Sequence, residues 1–318
     1  MSQNLKYSYQ LDHIRALGAF LVFCWHFLHV NQLHLITPIF FPPISLITEG
    51  HTGVSIFMTL SGYLFAKILI NKKINYKKFY YNRFLRLIPL LLVTMLVQMY
   101  VDGSLTLERF FKEFYRGFIN RNWPYAGWSI SVELHFYYLL PLILFFFKKT
   151  RRYFFLIFIF TIGIKILIFS TIGSLQHYSY YKIFGHIDEF LLGIASYKYR
   201  NYIKNNKNFV FIIFFLYLMF FYWFEFRGGF YQNPSYPSNN LFWIFIPFIS
   251  GLSYSTLISY YDNNSFGFTK TNISKLISKI GLYSYSIYLW HFIYVFKLSE
   301  FIDKNLINLN NLLFGILY

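Results

Sequence analysis

Nine stretches of mostly apolar residues dominate this chain. Each is close to the roughly 20 residues that a helix needs to cross the hydrocarbon core of a bilayer. They lie at Ile14–Leu35, Thr52–Asn71, Leu85–Val101, Trp128–Phe147, Tyr153–Ile172, Ile183–Tyr199, Phe209–Phe226, Leu241–Tyr260 and Ile280–Phe301, and a shorter tenth lies at Ile307–Tyr318. Lipid offers no hydrogen bonds, so a segment inside it must satisfy its own backbone, and runs of this length do so as helices. The expected fold is all-α, a polytopic membrane protein with about ten transmembrane helices in one domain over residues 1–318. Composition excludes the alternatives. Of the 318 residues 56% are hydrophobic and 13% are charged, half of the roughly 25% charged share of a soluble domain. Disorder needs low hydrophobicity. A single cysteine, Cys24, leaves no disulfide framework and no Cys-based zinc module.

The net charge of +17 would suggest nucleic acid in a soluble protein. Here its distribution gives a different reading, and no nucleic-acid partner is expected. With the N-terminus placed in the cytoplasm, the inner segments hold most of the 29 Lys and Arg residues. They include Lys6 and Arg15, the run from Lys67 to Arg86, Lys148 to Arg152, Lys198 to Lys207, and Lys270 to Lys279, while Asp12 and Asp262 are the acidic residues on that side. The bias recurs at every loop, as the positive-inside rule requires of a correctly counted set of spans. Membrane lipids are therefore the first expected partner. No cleavable signal peptide is expected, because the first span carries Arg15 and His26 and lacks a small-residue cleavage site. The outer segment Asp102–Ala126 mixes charges and aromatics and is expected to form an amphipathic helix along the membrane surface.

Ionisable side chains inside spans are costly and so are functional candidates. Arg15 and His26 stand 11 residues apart. At about 100° per residue they fall within about 20° of one face, separated by about 16 Å along the helix axis. A ligand touching both would be long, anionic at one end and reactive at the other; coenzyme A carrying an acyl thioester has that shape. Arg83 and Arg86, three residues apart and so on one helix face, offer the fork geometry that suits phosphate. Positive-inside anchoring explains them as well. Glu133, near the outer start of the fourth span, is expected at the depth of His26, where a carboxylate would hold the imidazole tautomer. In Leu60-Ser61-Gly62-Tyr63, Gly62 reads as a close helix–helix contact, and Ser61 is a candidate polar contact to the donor. Lesser candidates are His29, His51, Lys165, Asp188, Glu189 and His291. Asp188 and Glu189 would either meet a polar acceptor or cap their helix near the surface. His26, His29, His51 and Glu133 could instead hold a metal, although no HExxH-type ligand pattern is present.

Five segments, in order along the chain, resemble the signatures of the acyltransferase 3 family of bacterial membrane acyltransferases. They are Asp12-His-Ile-Arg15-Ala-Leu with ten residues between Arg15 and His26; Phe57-Met-Thr-Leu-Ser61-Gly62-Tyr63; Tyr81-Asn-Arg83-Phe-Leu-Arg86-Leu-Ile-Pro89; Trp128-Ser-Ile-Ser-Val-Glu133-Leu-His-Phe-Tyr-Tyr-Leu-Leu-Pro141; and Ser286-Ile-Tyr-Leu-Trp290-His291. The resemblance implies a ten-helix domain in the bacterial cytoplasmic membrane. It implies O-acylation, most often O-acetylation, of exported carbohydrates such as O-antigen, capsule or exopolysaccharide. Acetyl-CoA would be the donor, a free or lipid-linked glycan the acceptor, and no metal would be needed. His26 and Glu133 would be the catalytic pair, with Arg15, Arg83, Arg86 and Ser61 holding the donor. Asn82 stands where many members carry a further Arg, and the last apolar segment is short for the family. A transporter of glycans or small solutes, or a metal-dependent intramembrane hydrolase, would also place ionisable groups at mid-depth.

Overall fold

A computed structural model describes residues 8–30, 42–69, 74–119, 123–149, 151–233 and 235–305. Among these the regular structure is helical throughout, with no strand. The principal helices are α1 (Tyr9–Val30), α2 (Gly53–Leu69), α3 (Tyr76–Val101), α4 (Leu107–Ile119), α5 (Trp128–Lys149), α6 (Arg151–Ile172), α7 (Ile183–Lys198), α8 (Lys207–Phe226), α9 (Ile246–Asn263), α10 (Asn272–Leu282) and α11 (Ser284–Ile293). Six segments among the described residues are long and apolar enough to cross a membrane: Tyr9–Val30, Gly50–Leu69, Tyr76–Val101, Tyr125–Phe147, Phe155–Ile172 and Lys207–Phe226. The other three nominated spans take different forms. α7 has 16 residues and carries His186, Asp188 and Glu189. The run from Leu241 opens with a 3-10 turn before Pro247 starts α9 in its first turn, a position that costs the helix no hydrogen bond. The run Ile280–Phe301 is divided among the end of α10, α11, a π-helical turn at Tyr294–Leu298 and a short helix, Ser299–Asn305. The segment Ile307–Tyr318 lies outside the described residues.

The centre of the bundle is an antiparallel pair, α2 against α7, and glycines set its spacing. A Cβ added at Gly62 would stand 2.1 Å from the Phe190 carbonyl oxygen, and one added at Gly193 would stand 2.1 Å from that of Thr59. Small residues let helix backbones approach where lipid supplies no hydrophobic drive between them. Gly62 therefore has the packing role read from the sequence. Phe136 of α5 stacks on Phe190 with ring centres 3.7 Å apart, and α9 closes on α7 where Gly251 meets Glu189. The polar residues of α7 are buried and partnered. Asp188 accepts from Lys165 at 2.5 Å and from Thr161 at 3.0 Å, and Glu189 pairs with His186 at 2.8 Å. Neither carboxylate caps the helix near a surface, as the sequence had allowed. Adjacent residues on a helix point about 100° apart, so each reaches its own partner in the core.

α3 begins nine residues before the expected span. The Asn75 side chain caps it by accepting from the Lys78 amide at 3.0 Å, a preferred N-terminal cap. Arg83 and Arg86 consequently ride on a formed helix. α4 is the amphipathic helix expected between Asp102 and Ala126. Phe110 and Gly117 face the protein, where the Trp123 indole N–H donates to the Phe114 carbonyl at 2.9 Å. Leu107, Phe111, Tyr115 and Ile119, spaced four apart, form an exposed apolar stripe.

Candidate functional site

Two cavities flank α1, and the expected site residues divide between them. The one at the Arg15 end, called inner after the N-in orientation expected from the sequence, has about 110 Å³ and is lined by Arg15, Arg83, Arg86, Ser61, Glu133, Tyr137, Tyr285 and Tyr288 among others. Arg15 is partly exposed and is held by an ion pair with the buried Asp12. The Arg83 guanidinium lies over the Phe65 ring, 4.9 Å from its centre, with Phe79 and Tyr137 beyond. Such stacking fixes the plane of the guanidinium while leaving its N–H fork available. Among the described residues no carboxylate forms an ion pair with Arg83 or Arg86. The Glu133 carboxylate accepts from Ser61 Oγ at 3.0 Å and from the Tyr137 hydroxyl. Ser61 thus has its proton committed to Glu133.

The outer cavity, about 460 Å³, is lined by His26, His29, Trp25, Thr48, Glu49, Glu225, Phe230, Tyr231 and Gln232 among others. His26 Nδ1 lies 2.9 Å from the Val22 carbonyl and 3.2 Å from His291 Nε2. Its ring packs on Trp25, His291 and Phe292 with centres 4.6, 4.8 and 4.9 Å away. A carbonyl can only accept, so Nδ1 of His26 carries the proton and Nε2 keeps its lone pair. Trp25 and Tyr231 stack in parallel in the cavity wall. Glu49 is buried beside His51, 3.2 Å away, and one of its oxygens accepts from the Phe230 amide at 3.3 Å. Burial pushes the Glu49 carboxyl up to about 8, which near neutral pH keeps it mainly protonated and able to donate.

This arrangement revises the sequence reading in three respects. Arg15 and His26 do share α1, but each opens into a different cavity. The link between the cavities is aromatic: Tyr288 lines the inner cavity and packs on His291, ring centres 5.5 Å apart, and His291 packs on His26. Glu133 is not brought to His26. Its depth in the fourth span was judged without its direction. On α5 it shares a face with Ser129, Ile130 and Tyr137, which line the inner cavity, and that face looks toward Ser61 of α2. The expected cluster of His26, His29, His51 and Glu133 is therefore divided as well, and among the described residues no group of three or more His, Cys, Asp or Glu side chains converges as a metal site. Tyr137, Tyr288, Glu49 and Glu225 were not singled out from the sequence. Tyr137 stands four residues after Glu133, one helical turn on, and that spacing was the available signal.

The model of the acyltransferase 3 family, described as an acyltransferase domain, matches residues 8–318. The chain belongs to the acyltransferase 3 family. Comparison with curated proteins and with solved structures returned no match. Membership in this family, together with the six apolar helices, makes the protein a membrane acyltransferase. An acyltransferase needs a group that accepts the proton of the attacking hydroxyl and a separate place for the acyl donor. His26, in the wall of the outer cavity with its proton on Nδ1, and the arginine-lined inner cavity are the two features of this acyltransferase that fit those needs.

Proposed function

We propose that the protein transfers an acyl group, most simply acetyl, from acyl-CoA in the cytoplasm to a hydroxyl of a carbohydrate outside the bacterial cytoplasmic membrane. The observation that carries this reading is the division of α1. One end presents Arg15 to a cavity that also holds Arg83 and Arg86, and the other places His26, whose Nδ1 carries the proton, in the wall of a larger cavity lined by aromatic and carboxyl groups. In this reading the N-terminus is cytoplasmic and the chain crosses the membrane about ten times, which puts the arginines where CoA phosphates arrive. The inner cavity is smaller than the few hundred Å³ of a typical small-molecule site, so donor binding widens it, and Tyr288 is the side chain that yields to let the thioester reach His26.

The step then balances without further reagents. His26 Nε2 takes the proton of the acceptor hydroxyl as its oxygen attacks the thioester carbon; the C–O bond forms, the C–S bond breaks, and the imidazolium returns the proton to the departing thiolate. Glu133, steadied by Ser61 and Tyr137, serves the donor side of this reaction by positioning the thioester arm. Trp25 and Tyr231 offer the apolar platform on which a sugar ring packs.

Mass spectrometry of surface glycans from cells with and without the protein tests the reaction class. The expected result is the loss of about one acetyl mass per repeat unit; unchanged glycans together with solute uptake by vesicles would favour a transporter. The donor site has its own test. Arg83→Gln keeps much of the stacking surface and removes the charge, and a charge-assisted contact to phosphate contributes about 1.5–3 kcal/mol. Binding of acetyl-CoA to the purified protein should weaken by roughly 10- to 100-fold. Unchanged binding would show that Arg83 only anchors the helix.

A further inference from the structure

His26 has a second nitrogen, and its partner has no role in the reading above. His291 Nε2 faces His26 Nδ1 at 3.2 Å, while His291 Nδ1 is bonded to the Tyr288 carbonyl. That carbonyl can only accept, so His291 carries its proton on Nδ1, and Nε2 is left as an acceptor for the N–H of His26. The His26 Nδ1–H is shared, taken by the Val22 carbonyl at 2.9 Å and by His291 Nε2 at 3.2 Å, while His291 Nδ1–H donates to the Tyr288 carbonyl. This leaves Nε2 as the basic atom of His26, which lines the outer cavity. His291 is 2% exposed and lines none of the three principal cavities, so it touches neither donor nor acceptor. It is the last polar residue of α11 before the π-helical turn at Tyr294–Leu298, a distortion that often marks functional positions in helices.

We infer that His291 is a positioning residue for acyl transfer: alongside the Val22 carbonyl, its Nε2 accepts from His26 Nδ1–H, turns the ring, and continues to accept when His26 becomes an imidazolium. This rests on the proposed function, with His26 as the base. His291 would serve His26 as a buried carboxylate serves the histidine of a catalytic triad, by holding the tautomer and orientation, but with a neutral ring. No carboxylate bonds to His26 among the described residues, and the expected one, Glu133, is committed elsewhere. His291 begins and ends each turnover with its own proton unchanged.

The test uses the full-length protein in nanodiscs, acetyl-CoA, and surface glycan purified from cells that lack the protein. His291→Phe preserves an aromatic ring of similar size and removes the acceptor; kcat should fall about 100-fold with both KM values within about twofold, because only orientation and charge support of the base are lost. His291→Gln restores an acceptor oxygen and should recover at least about tenfold of that loss. Thermal unfolding of both variants confirms that they are folded. A His291→Phe enzyme with wild-type kcat would overturn the inference, as would a folded His291→Gln enzyme no better than His291→Phe. His26→Ala in the same assay separates the two levels: if it remains active, the proposed function of His26 fails, whereas an inactive His26→Ala beside an unimpaired His291→Phe removes only the role of His291.

Discussion

His26→Ala is expected to abolish acyl transfer while the protein still folds and still binds its donor. A positioned general base contributes about 10²- to 10⁴-fold to a rate, and His26 is the proposed base, lining the outer cavity. Removing it leaves the inner cavity untouched, because Arg15 and Arg83 draw their geometry from other contacts: the Asp12 pair for Arg15 and the rings of Phe65, Phe79 and Tyr137 for Arg83. The structural cost is modest: His26 is only partly buried, and the lost hydrogen bonds to Val22 and His291 are worth about 1 kcal/mol each. Acetyl-CoA binding and thermal unfolding should therefore stay near wild type while product formation falls below detection. A variant that kept near-normal transfer would require another base, and the proposed mechanism would be wrong.

The largest effect on folding should come from Lys165→Met. Lys165 and Asp188 are 1% and 0% exposed and meet at 2.5 Å, joining α6 to α7. Removal of one partner from a buried pair strands the other charge, at a cost of about 3–5 kcal/mol. That is a large part of the roughly 5–15 kcal/mol that holds a typical domain together. The folded yield of Lys165→Met in detergent should collapse, or its unfolding temperature should drop sharply. The double variant Lys165→Met/Asp188→Leu removes both charges and should recover most of the loss, since an apolar pair of similar volume often replaces a buried ion pair without penalty. Single and double variants of equal stability would show that the pair contributes little.

The sequence was most legible where one-dimensional rules suffice. Length and apolarity located the long helices, and the 11-residue separation placed Arg15 and His26 on one helix face. The mixed charges and aromatics of Asp102–Ala126 marked an amphipathic helix, and Gly62 announced a close contact. The readings that failed required a direction in space. Glu133 has a depth that any hydropathy plot gives, but whether it turns to α1 or to α2 depends on how α5 is rotated against its neighbours. Asp188 and Glu189 are neighbours in sequence yet serve different partners on different helices. The break of the Ile280–Phe301 run at Tyr283 and again at Tyr294 carries no proline signal. The passage between Arg15 and His26 was expected as one tunnel because nothing in α1 itself reveals Tyr288, which comes from the other end of the chain.

That side chain has a consequence for the cell. If the proposed reaction joins a cytoplasmic thioester to an acceptor outside, the protein must do so without becoming a hole in the membrane. In the proposed reaction the acyl arm passes the rings of Tyr288 and His291, which stand between the two cavities, so the packing that would admit a slim uncharged arm would also be what holds back ions and the bulky nucleotide.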